Sequence, residues 1–162
     1  NDGALHGIGT YPAYIACCLK GKSVFGLHNP MSGPFITQDG PDYEPNERTD
    51  GIVNVDTETD APGAKICGIK NGCIVGYKYF DLTKTKHISI TTHGGNGMIE
   101  ILGREDGRSI AKLRLTPGHH GGDTALNPAA LAEEAGYPVS RCPLYLRYKG
   151  KGSIELLQFT LF

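Results

Sequence analysis

From Phe35 onward, apolar and polar residues alternate in short runs. The last run shows the pattern best. Leu144, Leu146 and Tyr148 fall on one face, and Tyr145, Arg147 and Lys149 on the other. A polar turn, 149–153, leads into a second alternating run that ends on Phe159 and Leu161. Period-two alternation with aromatic and branched residues predicts strands, so this stretch reads as a closing hairpin. Earlier runs predict strands at 35–38, 52–55, 65–69, 73–82, 86–92, 98–102 and 109–115. In the run at 86–92, Ile88 and Ile90 face inward. Asn71-Gly72, between two apolar runs, carries a strong hairpin signal. The turns at 93–97 and 104–107 read the same way.

Residues 116–142 break this rhythm and hold the one good helical segment, 127–135. Asn127 suits its N-cap and Pro128 its first turn, and Gly136 with Pro138 stops it. Residues 1–34 differ from the rest. They hold one apolar strand, 11–19, and read as a linker or as an edge strand from a preceding domain. The predicted fold is an all-β jelly-roll sandwich of about eight to nine antiparallel strands over 35–162, with one short helix in a loop.

Composition supports this picture. A chain of 162 residues with 23 glycines and 10 prolines fits one turn-rich β domain. The net charge of −1 gives no reason to expect nucleic acid or an anionic membrane as partner. No apolar run is long enough to span a bilayer. The chain opens on Asn-Asp-Gly and reads as a piece of a longer protein, which leaves its localisation open. The five cysteines include the adjacent Cys17 and Cys18, and form a poor disulfide framework. They read as small buried apolar residues.

Three segments together resemble carbohydrate-binding module family 6, a β-jelly roll that binds glycans. Residues 67–77, Cys-Gly-Ile-Lys-Asn-Gly-Cys-Ile-Val-Gly-Tyr, are similar to that family's Gly-Tyr-Ile-Asp-Asn-Gly-Asp-Trp-Val-Glu-Tyr. Residues 94–111 resemble its Gly-Gly-x-(Ile/Leu)-Glu-Ile-Arg hairpin. Residues 144–162 resemble its closing strands. Residues 34–42 and 76–81 look like the modules attached to glycoside hydrolase family 43 xylosidases and arabinofuranosidases. The resemblance implies a non-catalytic accessory module, with a glycan and the parental catalytic domain as partners.

The binding positions depart from the family. Sugar rings stack their C–H faces on flat aromatic rings, yet the aligned positions are Gly68 and Ile74, and the chain has no Trp. Glu155 stands where the family has a sugar-binding asparagine. Leu157 stands where an aspartate helps to hold a structural calcium, and the early calcium glutamate falls near Gln38. No cofactor is therefore expected. Candidate ligand-binding residues are Tyr43, Asn96, His119, Tyr137 and Glu155, in loops or on an exposed sheet face. Among other tyrosines, Tyr79, Tyr145 and Tyr148 offer further stacking surface, and Tyr77 reads as core. His119-His120 with Asp123 reads as a polar loop, since no third zinc ligand is suitably spaced. The glutamates lack the motif of a catalytic pair, so no catalytic residue is assigned. A stand-alone glycoside hydrolase and a protein-interaction sandwich are the alternatives.

Overall fold

A computed structural model describes residues 7–12, 16–18, 24–28, 52–54 and 65–162 of the protein. The described strands are β1 (Gly9–Pro12), β2 (Ala16–Cys18), β3 (Val24–His28), β4 (Ile52–Asn54), β5 (Ile66–Ile69), β6 (Ile74–Phe80), β7 (His87–His93), β8 (Asn96–Leu102), β9 (Ala111–Leu115), β10 (Gly121–Ala125), β11 (Cys142–Lys151) and β12 (Ile154–Leu161). The helix α1 (Pro128–Ala135) joins β10 to β11. The strand candidate at 35–38 lies outside the described residues.

The strands form a β-sandwich. One sheet runs β10-β7-β12-β5-β2-β4, and the other runs β3-β6-β11-β8-β9. One edge of β12 is shared. Its first half pairs with β5, and its second half, Gln158 to Leu161, pairs with β1. The described strands of the 1–34 segment thus lie in both sheets. All pairings are antiparallel except β2 with β5 and β3 with β6, which are parallel. Nine of the described strands, β4 to β12, fall within 35–162, in line with the eight or nine expected there, and three more come from 1–34. Val24–His28 lacks clear alternation, and the polar run Gly121–Ala125 becomes a strand only by pairing with β7.

The core fills the space between the sheets. Phe159 sits at the centre of an aromatic group, with ring centroids 5.5 Å from Tyr11, 5.1 Å from Tyr77 and 5.8 Å from Phe80. All four rings are buried. Cys73 and Cys142 are buried free thiols, as their apolar reading implies. Leu144, Leu146 and Tyr148 point inward from β11, and Ile88 and Ile90 from β7. On β12 the alternation changes phase. Ile154 and Leu156 are buried, then Phe159 and Leu161. A bulge at Leu157 takes up the extra residue, since Leu156 pairs with Thr92 and Gln158 with Thr91. The helix is capped as its sequence predicts. The Asn127 side chain accepts from the Ala130 N–H, and Gly136 takes φ 75°.

The sequence places chain reversals correctly but pairs some of their strands wrongly. β5 and β6, β7 and β8, and β11 and β12 lie in opposite sheets. The connections at 70–73, 94–95 and 152–153 are therefore arches between sheets, and the closing stretch is not a hairpin. Only the turn at 104–107 joins paired strands, β8 and β9. Turn residues specify where the chain reverses. Which strand pairs with which depends on the apolar faces, and each strand of an arch turns its apolar face toward the opposite sheet. The three arches and the 116–120 connection gather at one end of the sandwich, called the arch end below.

Candidate functional site

Tyr148 organises the arch end. Its ring is buried, and its hydroxyl accepts from the Asn96 N–H at 3.0 Å and donates to the Lys151 carbonyl. Asn71 accepts from the Gly150 N–H at 3.0 Å, tying a third connection to β11. Glu155, on β12, faces out between neighbouring strands. Its carboxylate lies 2.9 Å from Lys65 Nζ and 3.7 Å from His93 Nδ1. The His93 ring meets His120 edge-on at 5.0 Å. His119 turns away, with Nδ1 2.7 Å from Thr116 Oγ1. This end is a polar, hydrogen-bonding surface. Among the described residues, no three of His, Cys, Asp or Glu converge to hold a metal ion.

The two positions aligned with the family's stacking aromatics supply no ring. Gly68 has φ 75° in β5, where β5 carries one residue more than the facing part of β12. An L side chain there would be strained. Ile74 is only 9% exposed. Leu157 puts a hydrocarbon where calcium needs oxygen, so that position does not fit a calcium site.

Exposed aromatic surface lies at the opposite end, beside α1. Tyr137 is 40% exposed and its ring lies 5.5 Å from that of Tyr79. The Arg141 guanidinium sits 4.1 Å over the Tyr79 ring, a cation–π contact that holds the ring in place. An open depression of about 710 Å³ runs along α1, lined by Asn127, Ala130, Glu133, Tyr137 and Val139 among others. The gap of about 10 Å³ between Ile69, Val75, Ile99 and Leu146 is a packing gap inside the core.

Asn96, His119 and Glu155 thus come together at the arch end, and Tyr137 stands at the other. Tyr43 lies outside the described residues. Lys65 and His93 join Glu155 at the arch end, and Arg141 joins Tyr79 at the other. Only folding brings them beside Glu155 and Tyr79, and no local signal marks them.

Burial pushes the Tyr145 phenol up to about 12, helped by the negative charge of Glu105. Burial also pushes the Cys142 thiol up to about 12. A raised folded-state value for an acid means that the folded state keeps its proton longer than the unfolded state. The stabilisation is complete below the unfolded values of 9.0 for Cys142 and 10.0 for Tyr145, and is lost as pH rises toward about 12. Tyr145→Phe is expected to flatten the alkaline limb of a stability–pH profile measured by urea unfolding. An unchanged limb would place the phenol in water in the folded state.

Comparison with known proteins supports this fold. No family model matches the chain. A curated xylosidase/arabinosidase of Thermoclostridium stercorarium is 30% identical over 167 residues, covering 99% of this chain. The chain spans only 30% of that relative's length. Among solved structures, a family 6 carbohydrate-binding module from Clostridium cellulolyticum in complex with xylose aligns with TM-score 0.50 and 17% identity, over 62% of this chain and 79% of that one. CsCBM6-3 from Clostridium stercorarium, in complex with cellobiose, aligns with TM-score 0.51 and 14% identity, over 86% and 95%. The fold is that of the family 6 carbohydrate-binding modules.

Proposed function

We propose that this chain is a non-catalytic accessory module of a glycoside hydrolase that degrades plant polysaccharides. It binds a xylan- or arabinoxylan-type glycan weakly, away from the arch end. The observation that carries this reading is the displacement of exposed aromatic surface. The fold is shared with modules solved in complex with xylose and with cellobiose, yet both aligned stacking positions are without rings. Tyr137 offers a ring to solvent above the buried Tyr79. A sugar's C–H face stacks on such a ring, and the side chains around the α1 depression supply hydrogen bonds.

Affinity electrophoresis in gels containing arabinoxylan, xylan or arabinan tests this reading. Retardation of the protein is expected, lost in Tyr137→Ala and kept in Glu155→Gln. Retardation lost in Glu155→Gln and kept in Tyr137→Ala would move the site to the arch end. No retardation by any of the three polysaccharides would overturn glycan binding.

A second reading, bracing of the catalytic domain, is favoured by a separate apolar patch. Ile8 is 56% and Phe162 44% exposed, and the β1–β12 register sets them side by side. The Phe162 ring stacks on His87 at 5.4 Å. Adjacent exposed apolar side chains at a domain end fit an inter-domain contact. Phe162→Asp in the parent enzyme would then lower its thermal midpoint while leaving retardation of the isolated module intact.

A further inference from the structure

The outer face of the β3-β6-β11-β8-β9 sheet carries a concentration of positive charge. On β11, Leu146 and Tyr148 point into the core, so Arg147, Lys149 and Lys151 point out. On β9, Leu113 and Leu115 point in, and Lys112 and Arg114 point out. The strand between them, β8, presents Asn96, Met98 and Glu100. The register aligns these side chains in rows. Lys149 faces Met98, which faces Arg114, and Arg147 faces Glu100, which faces Lys112. Glu100 is the one carboxylate in these rows and is engaged by Arg147 at 2.7 Å. The other charged side chains in these rows are all cationic, against a net charge of −1 for the whole chain.

The geometry is that of two rails and a floor. β9 and β11 lie one on each side of β8, so their side chains stand about 10 Å apart, two strand spacings. Between the rails, β8 presents Asn96, the half-buried Met98 and Glu100, whose carboxylate is held by Arg147, which leaves a shallow floor. At its α1 end, the β11 column begins with the half-buried Tyr145, close to Tyr137 and Tyr79. Tyr145 faces Gly76 on β6, which adds no bulk beside the ring. The column from Tyr145 to Lys151 is about 20 Å long at a strand's rise per residue.

We infer that this face binds a linear polysaccharide bearing carboxylates, a uronate-substituted xylan. The aromatic end takes sugar faces, and the lysine and arginine rails take the carboxylates. This inference rests on the glycan-binding reading above and adds the charge of the ligand. Long-range attraction by exposed cations raises the local concentration of a polyanion and is screened by salt. A neutral chain gains nothing from the rails.

The test is affinity electrophoresis and calorimetry of the protein with four probes: glucuronoxylan, carboxyl-reduced glucuronoxylan, neutral arabinoxylan and single-stranded DNA. Glucuronoxylan is expected to bind at least about tenfold more tightly than its carboxyl-reduced form, and to lose that advantage as NaCl rises from about 50 to about 500 mM. The charge-reversed variant Lys149→Glu/Arg114→Glu is expected to lose the preference, with an unchanged thermal midpoint since both side chains are exposed. Equal, salt-insensitive binding of all three xylans would overturn the inference and leave the glycan-binding reading standing. No binding to any xylan would overturn both. Tighter binding to DNA than to glucuronoxylan would assign the rails to a nucleic acid and overturn the inference. Should the double variant fail to fold, the carboxyl-reduction and salt comparisons on the unaltered protein still decide.

Discussion

Phe159→Ala is expected to cost about 3–5 kcal/mol, the usual price of truncating a fully buried aromatic. The thermal midpoint should then fall on the order of 10 °C for a domain of this size. Phe159 has no solvent exposure and touches three rings from two other strands, β1 and β6, so no neighbour can relax into the void. Urea unfolding measures the loss directly, and a change below about 1 kcal/mol would mean that the aromatic centre is not packed as described. The informative extension is a double-mutant cycle with Tyr11→Ala. Tyr11 is 3% exposed and lies 5.5 Å from Phe159 and 5.4 Å from Phe80. Coupling of about 1 kcal/mol is expected for such a ring pair. Additive effects would mean that the Tyr11 and Phe159 rings do not pack on each other as described.

The second large effect is expected at the arch end. Gly95 has φ 80°, and a Cβ there would lie 2.2 Å from Ile154 Cγ2 and 2.8 Å from the Tyr148 hydroxyl. Gly95→Ala therefore combines a left-handed backbone strain of about 1–2 kcal/mol with overpacking of about 1–3 kcal/mol. A loss of about 3 kcal/mol is expected. The clash also falls on the hydroxyl that links Asn96 to Lys151. Gly72→Ala is the control. It has φ 89° with no atom within 4 Å of the added Cβ, so it carries the strain alone. Equal losses in the two variants, measured by denaturant unfolding, would show that the contact with Tyr148 and Ile154 is looser than described.

Much of the fold is legible in the sequence because its signals are local. The burial of Leu144, Leu146, Tyr148, Ile88 and Ile90 follows from period-two alternation. The helix follows from Asn127, Pro128 and Gly136. The resemblance to family 6 modules, carried by the runs at 67–77, 94–111 and 144–162, agrees with the fold observed. Val24–His28 and Gly121–Ala125 were not legible as strands. The first lacks alternation, and the second is too polar to mark a strand without its partner. The phase change on β12 was also hidden, because a bulge is defined by the opposing strand.

The candidate site divides in the same way. From sequence alone, the loss of rings at Gly68 and Ile74 and the substitution at Glu155 are visible. The grouping of Glu155 with Lys65 and His93 is not, nor is the separation of Tyr137 from Asn96 and His119. The cationic rails are the clearest case. Lys112, Arg114, Arg147 and Lys149 are scattered in the chain, in a sequence whose charges nearly cancel. They stand together only because β9, β8 and β11 are neighbours with a fixed register. The sequence by itself determined where the chain reverses and which side chains face the core, since both follow from residue type and spacing. Pairing depends on contacts between residues far apart in the chain. The tertiary structure alone therefore decided that the reversals are arches, that the exposed aromatics lie away from the arch end, and that one sheet face is positive.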